Sequence, residues 1–120
     1  MNTRPKAPEP WGVTDAAELY QVAAWGQGYF AVGEDGRLRV RPDRTPGTEV
    51  DLMDVVEGLS ARELSPPLLI RFSDILADRL LALHDAFEEA IEEHAYDGNY
   101  LAVYPIKVNQ QRSVVEEVYR

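Results

Sequence analysis

The sequence contains no cysteine. That excludes disulfides, thiolate zinc sites and thiol nucleophiles, and it fits a reducing compartment, here the cytoplasm. No stretch approaches the roughly 20 apolar residues of a membrane span. Basic residues are scarce: 12 Lys and Arg stand against 21 Asp and Glu, a formal net charge of −9. Wrapping a phosphate backbone needs a basic face, and an anionic bilayer repels a chain of this sign. Nucleic acid and membrane are therefore not expected partners. Residues 1–10, MNTRPKAPEP, carry three prolines and no apolar core. They read as a flexible Pro-rich tail rather than a signal peptide. At 120 residues the chain is too short for a closed (β/α)8 barrel, which needs roughly 200 or more. There is no internal repeat, Gly-rich phosphate loop, Ser–His–Asp arrangement or paired-carboxylate motif.

What remains is an ordinary globular composition, 45% hydrophobic, whose patterning is readable. Thr14 can cap a first helix, with Ala16, Leu19, Tyr20 and Ala23 on one face and Gly26 and Gly28 ending it. Tyr29 to Val32 and Leu38 to Arg41 are β-type runs, with the turn signal Asp35-Gly36 between them. Trp11, Trp25, Tyr29 and Phe30 are expected to form the core of this lead-in. Asp51 can cap a helix with Leu52, Val55, Val56 and Leu59 on one face, and Ser65-Pro66-Pro67 breaks it. Leu68 to Phe72 reads as a buried parallel strand. Ser73 can cap a long helix to about Tyr96, striped by Leu76, Leu80, Leu83, Phe87, Ala90 and Ile91. Tyr100 to Ile106 is a second strand candidate, and Gln110 to Arg120 is helical with Val114, Val115 and Val118 to bury. Strand, long helix and strand make one βαβ unit, right-handed by the general rule. Two such strands with one covering helix leave sheet faces bare. That, with the uncapped last helix, gives the expectation of a chain ending within a larger domain.

Most titratable residues read as structural. His84 and His94 lie ten residues apart, without the i, i+4 spacing of a helical metal pair, so no metal ligands are assigned. Arg71, within an apolar run, needs a partner if buried, and Asp74 is available. The informative residue is Lys107, in AVYPIKVNQQ. A lysine closing an apolar β-type run would, on a barrel, point to the face where active sites lie. Burial favours its neutral amine, the form that attacks a carbonyl. Asn109 and Gln110 then offer polar groups where the next helix begins, and its N-terminus could favour a phosphate. The plainer alternative is a strand-end lysine whose ammonium reaches water.

The blocks WGVTDAAELY, WGQGYFAV, LLIRFSDIL and VYPIKVNQQRSVVEE resemble the amino-terminal part of the biosynthetic arginine decarboxylases. These are pyridoxal-phosphate enzymes on an alanine-racemase-like barrel. The resemblance runs from about Trp11 to Arg120 and includes the Lys-x-Asn signature of related barrel enzymes at Lys107 and Asn109. It implies an α/β fold: the first part of a PLP-binding (β/α)8 barrel behind a small α and β-hairpin lead-in. The divisions would be a tail at 1–10, the lead-in at 11–66 and the barrel portion at 67–120. It implies that Lys107 holds pyridoxal 5′-phosphate as an internal aldimine, that Asn109 contacts the cofactor, and that L-arginine becomes agmatine and CO2 for polyamine, including spermidine, biosynthesis. A homo-oligomer and a magnesium requirement come with the resemblance alone. The phosphate-binding glycines and substrate-reading carboxylates of such enzymes are absent from this sequence, so the 120 residues alone are expected to have little or no activity. Two alternatives stand beside this reading. One is a PLP-dependent decarboxylase of ornithine, lysine or diaminopimelate, and the other is a non-catalytic binding or regulatory chain.

Overall fold

A computed structural model describes residues 10–119, so the tail reading for 1–10 falls almost wholly outside the described residues. The chain divides into two units, residues 1–65 and 66–120.

The first unit opens with α1 (Val13–Leu19), whose first turn is held by Asp15. Its carboxylate accepts from the Gly12 N–H at 2.7 Å, so Asp15, not Thr14, serves the helix start. The single helix expected as far as Gly26 is in fact two. Gln21 takes a left-handed φ of 51° and turns the chain into α2 (Val22–Gly26), which ends at Gln27 with φ 50°. The turn scatters the expected stripe, and Leu19 and Tyr20 are exposed.

The hairpin forms as its sequence implies. β1 (Phe30–Val32) pairs antiparallel with β2 (Leu38–Val40) in the register Phe30↔Val40 and Val32↔Leu38. Gly36 supplies the positive φ of 80° that the turn requires, and the Gly36 N–H donates to the Gly33 carbonyl at 2.9 Å. A third strand, β3 (Val50–Asp51), adds antiparallel to β2 and gives the order β1-β2-β3. The fold is thus α/β with a small antiparallel sheet. Its core is Val22, Tyr29 and the fully buried Val40. Trp11 and Trp25 correct the expected core, because both are exposed. Trp25 instead tilts against Phe30 at 5.1 Å and donates its indole N–H to the Tyr20 carbonyl at 3.0 Å. Asp51 caps α3 (Leu52–Ser60) as expected, accepting from the Met53 and Asp54 N–H groups at 2.8 and 3.2 Å.

The second unit is built on α4 (Ser73–Glu93). Phe72 occupies the cap position and Ser73 is the first helical residue. The helix closes with a paired turn: Ala95 N–H donates to the Glu92 carbonyl and Tyr96 N–H to the Ile91 carbonyl. Ala95 holds a φ of 47° there, a place usually taken by glycine. A 3-10 turn (Ile106–Val108) leads to α5 (Arg112–Tyr119), which packs on α4.

Two expected strands are absent. Neither 68–72 nor 100–106 belongs to a ladder, and no parallel pair occurs among the described residues. A strand exists only through the partner that satisfies its N–H and C=O groups. With no partner here, Leu101 and Val103 remain 80% exposed. The βαβ unit is therefore replaced by one long helix flanked by irregular segments.

Candidate functional site

Lys107 lies in the middle of the 3-10 turn, not at a strand end. Pro105 leads in with extended backbone, and Val108 N–H donates to the Pro105 carbonyl at 2.9 Å. The lysine is exposed, so the described residues do not supply the burial on which the covalent-lysine argument drew. Asn109 is half-buried, and its Oδ1 accepts from the Gln111 N–H at 3.1 Å. Its carboxamide oxygen thus holds the bend from which α5 starts. The Asn109 carbonyl accepts the Tyr104 hydroxyl at 3.2 Å.

Tyr104 is the residue that sequence reasoning passed over. It looked like one more apolar β-type side chain. Yet it is half-buried, while Leu101, Val103, Ile106 and Val108 around it are exposed. No periodicity marks a hydroxyl-to-carbonyl bond five residues along the chain.

The second unit also holds an open apolar groove of about 390 Å³, lined by Phe87, Ala90, Ile91, His94, Tyr96, Asn99 and Tyr100. Tyr100 stacks flat on Phe87 with ring centroids 4.2 Å apart and lies 6.1 Å from the His84 ring. His94 lines the groove, whereas His84 lies outside that lining. Among the described residues no group of three or more His, Asp or Glu side chains could hold a metal ion. Arg71 is exposed, and no ion pair with Asp74 forms.

The first unit carries a separate charge network. Asp51 Oδ2 meets Arg39 Nη1 at 2.6 Å and Arg37 Nη1 at 3.3 Å, and Arg37 also reaches Asp54 at 2.8 Å. Arg39 turns its other nitrogen to Asp35, and Arg41 pairs with Glu49 at 2.6 Å. Desolvation pushes the Asp51 carboxyl up, but its two backbone donors and the two guanidinium groups outweigh that. The carboxyl is held below the usual carboxylate range. Arg37 is raised above the ordinary arginine value, chiefly by its bond to Asp51. Every carboxylate oxygen of Asp51 is thus engaged, so the network braces β2, β3 and α3 and leaves no free base.

No family model matches the chain. Individual proteins do. A biosynthetic arginine decarboxylase of Gloeobacter violaceus is 50% identical over 110 residues, 92% of this chain and 17% of that protein. The chain is similar to biosynthetic arginine decarboxylases. One from Prochlorococcus marinus (strain MIT 9303) is 49% identical over 108 residues, 90% of this chain and 17% of its own length. Biosynthetic arginine decarboxylase 2 of Synechocystis sp. is 48% identical over 110 residues, again 92% and 17%. The chain spans about a sixth of the length of these curated relatives, in their amino-terminal part.

Proposed function

We propose that these residues supply the cofactor lysine, Lys107, of a pyridoxal-phosphate-dependent arginine decarboxylase that forms agmatine and CO2 for polyamine biosynthesis. The observation that carries this reading is the roughly 50% identity to proteins of that name over nine-tenths of the chain, a stretch that includes the block around Lys107. The chemistry of the site fits the cofactor at one point. Lys107 presents an accessible primary amine, the group that joins an aldehyde, from a turn braced at Asn109. Among the described residues nothing cradles a phosphate or partners a pyridine nitrogen, so the rest of the site is assigned to sequence outside this sixth. Bound there, pyridoxal phosphate supplies the electron withdrawal that lets an amino acid lose its carboxylate. This chain's part is to hold the amine in place and set its direction.

On the same reading, 67–120 joins a (β/α)8 barrel in the whole protein. The whole protein acts on L-arginine in the cytoplasm as a homo-oligomer. The experiment is product analysis with the full-length protein carrying this sequence. Agmatine from arginine, lost in Lys107→Ala, is the expected result. Turnover of ornithine, lysine or diaminopimelate in place of arginine would overturn the substrate.

A further inference from the structure

We infer that the Tyr104 hydroxyl is a positioning group for Lys107, and this rests on the reading of Lys107 as the cofactor lysine. Tyr104 and Asn109 bracket the segment that carries the lysine, and the 3.2 Å bond from the phenol to the Asn109 carbonyl ties its two ends. Within that loop the Val108 N–H closes on the Pro105 carbonyl, and the pyrrolidine ring restricts the backbone at Pro105. On the far side Asn109 Oδ1 binds the Gln111 N–H, so the loop passes into α5 without slack. Lys107 therefore sits at the centre of a segment fixed at entry and exit.

The burial pattern singles out the same residue. Of the run 101–108 Tyr104 alone is half-buried, while the apolar side chains on either side face outward. A phenylalanine would pack equally well there. What tyrosine adds is a donor, and it is spent on the backbone that follows the lysine. A turn closed in this way fixes the backbone from which the Lys107 amine is presented and removes backbone freedom that it would otherwise lose on joining an aldehyde.

The test uses two lysines of the full-length protein carrying this sequence, Lys6 and Lys107, with Lys6 as the internal reference. Pyridoxal phosphate is the probe. Each amine condenses with its aldehyde with loss of water, borohydride reduces the C=N bond, and peptide mass spectrometry counts the product at each lysine across a pH series. Capture at Lys107 in preference to Lys6 is expected. Tyr104→Phe should lower that ratio by up to about fivefold, the factor for one hydrogen bond of ordinary net strength. Exchange of the Val108 amide should speed up with it. Replacing Tyr104 by p-aminophenylalanine, which restores an N–H donor, should recover both. A ratio and pH profile unmoved by Tyr104→Phe, whether or not exchange changes, would overturn the positioning role. No preference for Lys107 over Lys6 in the unsubstituted full-length protein carries a different signature. It removes the cofactor-lysine reading, and this inference falls with it.

Discussion

Arg39 and Asp51 stand opposite each other in the β2–β3 register, and their side chains close that pairing with a 2.6 Å ion pair. The same carboxylate caps α3. One side chain thus fastens a strand to its neighbour and starts the helix that follows. Asp51→Ala removes both at once. It should lower the midpoint of thermal unfolding by roughly 5 °C or more, read by circular dichroism. An unchanged midpoint would show that the network contributes nothing.

The pH dependence follows from the same group. Asp51 is depressed in the folded chain, and so is Asp43, chiefly through the Thr45 N–H and the Thr48 hydroxyl. A carboxyl depressed on folding contributes stability that is complete above its unfolded value of about 4. That contribution is lost as pH falls through the folded value. Denaturant midpoints should therefore decline below about pH 4. Asp51→Asn should flatten the decline, and an equally steep one in that variant would contradict the assignment.

Ala95 closes α4 in a conformation that crowds its Cβ. Ala95→Gly should stabilise the chain by about 1 kcal/mol, and Ala95→Val should destabilise it. Amide exchange at Tyr96, whose N–H reaches back to the Ile91 carbonyl, reports the effect locally.

Val40, the last residue of β2, is fully buried. Val40→Ala should cost about 2 kcal/mol, measured by urea denaturation. Lys107→Ala, at an exposed turn, should change stability by less than about 0.5 kcal/mol. It should nonetheless abolish the borohydride-trapped adduct at that position while leaving Lys6 reactive.

The features legible in the sequence were those set by neighbours along the chain. Asp35-Gly36 specified the hairpin because one residue there needs positive φ. Asp51 announced α3 because a cap acts over two or three residues. The misread features depend on distant partners. Leu68 to Phe72 and Tyr100 to Ile106 have strand composition, but composition cannot supply the ladder. β3 was missed because two residues are too few to show alternation. The split at Gln21 was hidden because glutamine gives no sign of a left-handed turn. At the site, the residue types of Lys107 and Asn109 were readable, while the Tyr104 bond that ties their segment together has no signature.

The outward-facing run around Leu101 and Val103 also governs how the chain behaves at working concentrations. Unpaired backbone flanked by bare β-type side chains is a template for another copy of itself. Its association should climb with protein concentration and fall with added denaturant or a charge placed at Leu101. Solubility, more than melting temperature, is therefore the quantity that this segment controls.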